Sequence, residues 1–351
     1  MSDAQGSQAV TPLVRSGRGR LARVLVLGAI VSGVLLTLAL RSVPLGDVWR
    51  EINDVSLPVL SLALLTKLTN LTIAAVRSAV LIRPQHRFSL RELLDCHLAG
   101  FSGNNLVPLR FGDVLRIDYM ASRSGLSHSA CLQVVVIERL LDTLSLMTLC
   151  LVLLPFVSVS LNIGSAFVAA SLISVAGLSA LVMARQRPQW LAAVVGRIVG
   201  LGGERARQFL IPRVERFIGE LTTVAKGKGA LLAFGLSLCI WGVSMVSVLI
   251  WLWAFDVSLP WYTSFLVLVF LAFGLALPAT PGQVGTYHYF VAAALTTSGL
   301  DKVQALSISV VAHAVSIVPF TVIGLPSLIS FMLRRSAEMA SRQLRPSEES
   351  V

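Results

Sequence analysis

Apolar residues along this chain gather into runs that are too long for a soluble fold. The stretches 24–40, 57–76, 132–154, 163–184, 230–254 and 303–333 reach or approach the roughly 20 residues that carry a helix across a hydrocarbon core. Two weaker runs, 93–109 and 261–299, are interrupted by Pro and Gly. No series of short alternating strands is present. The pattern therefore predicts an all-α polytopic membrane protein with about 8 membrane segments. The interruptions need explaining. "LALPATPGQVGTYHY", residues 275–289, breaks the backbone where an unpaired amide costs most.

Composition agrees with that class. The 351 residues are 55% apolar and 13% charged, with a mean hydropathy of +0.79. Soluble domains carry about 25% charged residues, so this chain lacks the charge to coat a water-facing surface. Cys96, Cys131, Cys150 and Cys239 show no ligand spacing and read as small apolar residues. Neither a metal site nor a cofactor is expected.

The net charge is +11. In a soluble protein this would point to nucleic acid; here the positive-inside rule accounts for it, and no nucleic-acid partner is expected. Arg15, Arg18, Arg20 and Arg23 precede the first run. Arg77, Arg83, Arg87 and Arg91 follow the second. Arg110, Arg116 and Arg123 follow the first interruption, and Arg334, Arg335, Arg342 and Arg345 follow the last run. The opposite loops mix Arg41, Arg50 and Lys302 with Asp47, Glu51, Asp54, Asp256 and Asp301. The expected layout is a basic tail over 1–23, one transmembrane domain over 24–333 and a polar tail over 334–351. Both ends lie in the cytoplasm, and the membrane is the cytoplasmic (inner) one. The run 24–40 reads as a span and not as a cleaved signal, because "RSVPLGDVW" after it looks like a loop. The segment 185–228 places apolar residues at helical spacing among basic ones. It reads either as a helix lying on an anionic leaflet or as a plain cytoplasmic hairpin.

The interrupted stretches, 93–125 and 261–299, match each other. Pro108, Gly112, Val114 and Tyr119 align with Pro278, Gly282, Val284 and Tyr289, and Ser124-Gly125-Leu126 then aligns with Ser298-Gly299-Leu300. The charge pattern enters one copy from the inside and the other from the outside, so the repeat reads as inverted. Paired broken segments of opposite topology surround the substrate sites of transporters. The competing reading of 275–289 is a loop between two ordinary spans.

Candidate chemistry follows from the breaks. Pro108, Gly112, Pro278 and Pro281 interrupt the helical backbone. Gly282 and Gly285 let a lipid headgroup approach the chain, and Gln283 and His288 supply polar groups beside it. Asn105, Asp113 and Arg116 ring the first break. Glu138, Arg139 and Asp142 lie inside the next run, where ionisable residues are functional candidates. Arg139 reads as a bidentate phosphate clamp or, equally, as a structural partner of Asp142 or Asp113. Lys67 is a candidate partner for a carboxylate such as Glu138. His313, which aligns with Arg139, reads as a helix–helix hydrogen bonder or a proton relay.

The strings "GNNLVPLRFGDVLRIDYM", "VVVIERLLD" and "LPATPGQVGTYHY" resemble the membrane region of the lysylphosphatidylglycerol synthase/flippase family, over roughly 24–333. The resemblance implies movement of a lipid with a charged or sugar headgroup between leaflets, or support for an enzyme that makes one. It implies membrane lipids of anionic or polyprenyl-phosphate type as partners. Asn105, Pro108, Gly112, Asp113, Arg116, Glu138, Arg139, Pro281, Gly282 and Gly285 carry the family pattern. Asp113 stands where Glu is usual, Gln283 where Gly is usual, and His288 where an acidic residue is common. The chain shows no nucleotide-binding glycine motif, and only a short polar stretch follows Arg334. A transporter without enzymatic activity is therefore expected. The alternative is a non-catalytic scaffold for a separately encoded aminoacyl- or glycosyltransferase.

Overall fold

A computed structural model describes residues 11–41, 43–107, 111–153, 228–277 and 280–343. The regular structure among them is helical: α1 (Thr11–Leu40), α2 (Leu45–Asn53), α3 (Leu57–Ile82), α4 (Leu90–Leu106), α5 (Phe111–Ser124), α6 (His128–Leu153), α7 (Lys228–Ala254), α8 (Thr263–Ala276), a 3-10 turn (Pro281–Gln283), α9 (Thr286–Thr297) and α10 (Lys302–Gln343). The expected span 163–184, the amphipathic segment up to 227, Pro108 and Pro278 lie outside the described residues.

Local chemistry explains where these helices begin and end. Pro58 occupies the first turn of α3, where a missing N–H costs nothing. Ser89 and Glu92 form a reciprocal cap on α4: Ser89 N–H donates to Glu92 Oε2 at 3.0 Å, and Glu92 N–H donates to Ser89 Oγ at 3.3 Å. Gly125 (φ +70°) stops α5, and its N–H bonds Ala121 O at 3.0 Å. Ser127 Oγ then accepts the Ala130 N–H at 3.1 Å to start α6. Gly299 (φ +97°) ends α9 in the same way, and Asp301 caps α10 through the N–H groups of Val303 and Gln304.

Three described helices are long and apolar enough to cross a membrane: Pro58–Ile82, Lys228–Ala254 and Lys302–Ala337. They expose large apolar side chains, among them Leu65, Leu231, Val318 and Val322. On α1, Val26, Ile30, Val34 and Leu38 recur on one exposed face. Such faces suit lipid rather than water. At about 1.5 Å per residue, α10 exceeds the ~30 Å core, so it runs beyond the expected span into the expected polar tail. Likewise α1 begins inside the expected N-terminal tail.

The described residues form two compact units. The first holds residues up to Ser61, Gly103–Phe111 and Leu249–Pro319; the second holds Leu62–Ser102, Gly112–Val248 and Phe320 onward. In the first, α9 packs against α8 and α1, and Phe265, Val291, Leu295 and Leu306 are buried. In the second, Leu81, Ile82, Cys96, Met120, Cys131, Val134 and Phe331 form a continuous core. Small residues set the closest approaches. A Cβ on Gly324 would meet Leu98 O and Ser102 Oγ of α4, and Ser102 Oγ donates to Thr321 O at 3.0 Å. Close backbone contact of this kind replaces the hydrophobic drive that lipid removes.

Candidate functional site

The second unit carries a string of alternating charges through its helices. Arg77 of α3 donates to Asp142 of α6 and, at 2.7 Å, to Ser237 Oγ of α7. Asp142 Oδ2 also faces Arg139 Nη1 at 3.5 Å, and Arg139 Nη2 reaches Asp113 Oδ1 at 3.3 Å. Asp113 lies 4.0 Å from Arg116 Nη1, and Arg116 Nη2 donates to Glu138 Oε2 at 2.8 Å. Three guanidinium groups thus balance three carboxylates.

Burial deepens from the middle of the string towards both ends. The Arg139 side chain is 49% exposed, whereas Arg77 and Arg116 are each 4% and Glu138 0% exposed. At the Glu138 end Ser78 donates to Glu138, and His97 Nε2 lies 3.2 Å from Arg116 Nη2 and 2.8 Å from Ser78 Oγ. Gly100 makes this packing possible, because a Cβ there would strike the Arg116 side chain. A charge in this setting is tolerated only when paired and hydrogen-bonded.

Two expectations change here. Arg77 is not a loop charge after the second span: α3 continues to Ile82 and holds Arg77 buried between Asp142 and Ser237. An apolar window stops at any charge, even one that is neutralised inside the protein. Arg116, likewise, lies in α5 and faces Glu138 rather than an inner loop. Lys67 and Asn70 share α3, where Asn70 Nδ2 donates to Ser244 Oγ at 2.9 Å, and the Glu138 carboxylate is taken by Arg116 and Ser78.

The first unit handles polarity with backbone. Between α8 and α9, Gly282 (φ +67°), Gln283 (φ +57°) and Gly285 (φ +87°) turn the chain through the left-handed region, where glycine fits best. Pro281 begins the 3-10 turn. Several polar groups freed by the turn find fixed partners. Thr280 N–H donates to Ser32 Oγ of α1 at 3.0 Å, His313 Nε2 donates to Gly282 O at 2.7 Å, and Gly285 N–H donates to His288 Nδ1 at 3.2 Å. The His288 and His313 rings lie 4.6 Å apart, with Tyr287 4.9 Å from His313. Asn105, in the last turn of α4, approaches the same turn: its carbonyl would lie 3.8 Å from a Cβ on Gly282. The flanks of the two sequence interruptions therefore meet.

The residues singled out from sequence divide between the units. Asn105, Pro281, Gly282, Gln283, Gly285 and His288 belong to the first; Lys67, Gly112, Asp113, Arg116, Glu138, Arg139 and Asp142 belong to the second. Gly112 sits within α5, unlike its aligned mate Gly282, which has a positive φ. Sequence reading missed Ser32, Ser78, His97 and Ser237. His97 was findable as a lone imidazole in an apolar run; the serines carry no signal of their own.

Among known proteins, Glycosyltransferase AglD of Haloferax volcanii is 24% identical over 367 aligned positions, covering 90% of this chain and 57% of that protein. The chain thus spans little more than half of that relative's length. Residues 25–324 match the family model described as "Lysylphosphatidylglycerol synthase TM region". With most of its length inside that match and its apolar helices, this multi-pass membrane protein belongs to the lysylphosphatidylglycerol synthase TM region family.

Proposed function

We propose that the chain is a flippase-like lipid transporter with no catalysis of its own. Its cargo is a phospholipid or polyprenyl-phosphate-linked lipid with a charged or sugar headgroup. It sits in the cytoplasmic membrane with both ends inside. One observation carries the reading: the turn 280–285, held by Ser32, His288 and His313, meets the end of α4 at Asn105. Irregular backbone at membrane depth is sustained where protein or a water-lined path satisfies it, and transporters place cargo at such breaks. Gly282 presents backbone there without a side chain, whereas Gly285 is buried against α1 and lets the turn pack closely on it. In the second unit Arg139 is the most exposed member of the charge string, midway along it, and exchanges a carboxylate for a lipid phosphate.

An inverted repeat with about 8 membrane segments is part of this reading. It draws support from Gly125 and Gly299, aligned in the sequence and both at positive φ at a helix end. The test is lipid translocation in proteoliposomes. Gly282→Leu and Arg139→Ala should each abolish transport while the protein still inserts; full activity of both variants would overturn the site.

The second reading is a non-catalytic partner of a separate aminoacyl- or glycosyltransferase. It is favoured by the AglD comparison, which leaves 43% of that glycosyltransferase outside the aligned region (100% less the 57% covered). Under it, deleting 185–227 abolishes enzyme recruitment and Arg139→Ala does not.

A further inference from the structure

The second unit also holds an open pocket of about 430 Å³, walled by Arg91 of α4, Arg123 of α5 and Arg334 and Arg335 of α10. That volume falls within the roughly 300–1,000 Å³ of small-ligand sites. The lining carries one carboxylate, Asp95, which accepts a hydrogen bond from Ser327 Oγ at 3.2 Å. Arg335 is neutralised by Asp118, with Nε–Oδ2 at 2.8 Å and Nη2–Oδ1 at 2.6 Å. Arg91, Arg123 and Arg334, all exposed, then face the single carboxylate of Asp95, an excess of two positive charges. Arg123 stacks over the Tyr119 ring, 5.7 Å from its centroid, which restrains it. Ser122 and Ser330 add neutral hydroxyls to the wall.

Excess guanidinium groups converging with hydroxyls on one concavity match a phosphate's several oxygens. The site also lies where the apolar surface of α10 ends: Met332 and Leu333 are exposed immediately before Arg334. We infer that this pocket binds a phosphate-bearing group, either the phosphodiester of a lipid headgroup or a free phosphate ester. The inference stands apart from the transport reading, because neither the breaks nor Arg139 line the pocket.

The test uses the full chain in phosphatidylcholine nanodiscs, titrated with inorganic pyrophosphate, and separately in nanodiscs doped with phosphatidylglycerol, read by native mass spectrometry of retained lipid. The variant is Arg91→Gln/Arg334→Gln. The control is Arg41→Gln/Arg50→Gln, which removes the same charge elsewhere. Loss of two charge-assisted contacts should weaken binding at least about tenfold in the first variant and not in the control. Pyrophosphate binding lost in this way identifies a free phosphate ester. Selective phosphatidylglycerol retention lost in this way identifies a lipid. Equal behaviour of wild type, variant and control, or binding of neither probe, overturns the proposal. Phenylglyoxal labelling of the wild type covers a variant that does not fold. Either probe should protect Arg91, Arg123 and Arg334, and unchanged labelling counts against the site.

Discussion

The two units place polar groups in apolar surroundings by opposite means. The second uses side-chain charge: Arg77, Asp142, Arg139, Asp113, Arg116 and Glu138 alternate so that each ion faces its opposite. The first uses backbone: a positive-φ turn frees N–H and C=O groups, and uncharged side chains bind them. The charge string is therefore vulnerable to the loss of one partner. The turn is vulnerable to the addition of a single carbon.

The largest expected effect comes from unbalancing the string. Glu138→Leu strands the buried Arg116 and should destabilise by about 3–5 kcal/mol, read as thermal unfolding in detergent. The double variant Arg116→Met/Glu138→Leu should recover most of that loss. A double as unstable as the single would mean that shape, not charge balance, governs the site.

The turn should answer to volume. A Cβ at Gly285 collides with Ser32 O and adds positive-φ strain, whereas a Cβ at Gly282 would, among the described residues, meet Asn105 O at 3.8 Å. Gly285→Ala should cost about 2–3 kcal/mol and Gly282→Ala about 1 kcal/mol. Equal costs would remove the steric distinction. Ser32→Ala, which leaves Thr280 N–H without its acceptor, should cost about 1 kcal/mol, measured in the same melts.

The smallest effect lies outside both sites. Bonds from Ser89 N–H and Oγ to Glu92 hold its carboxyl below the usual carboxylate range. Its cap is fully present above the unfolded carboxylate value near about pH 4 and is lost as pH falls through the lower folded value. Glu92→Ala should cost about 0.5–1 kcal/mol at neutral pH and flatten that acid limb. An unchanged acid limb would place the titration elsewhere.

Much of this was legible in residue order. The apolar runs gave α3, α7 and α10, and Pro and Gly marked where α4 stops and where α8 gives way to α9. Arg139 and Asp142 at i, i+3 announced their own contact. Arg77 was misplaced because hydropathy counts a charge without seeing its partner. Ser32 and Ser78 were invisible because serine, an ordinary small residue of membrane helices, acquires a role only from what packs beside it.

By itself, then, the sequence determined the solvent, the helices and the points where they break, since apolar length and backbone freedom are local properties. Only the tertiary structure decided that Asn105 meets Gly282, that Ser32 holds Thr280, and that Glu138 faces Arg116. Partners from distant helices are selected by close packing and by the penalty on any unpaired charge or amide away from water, and neither is written along the chain.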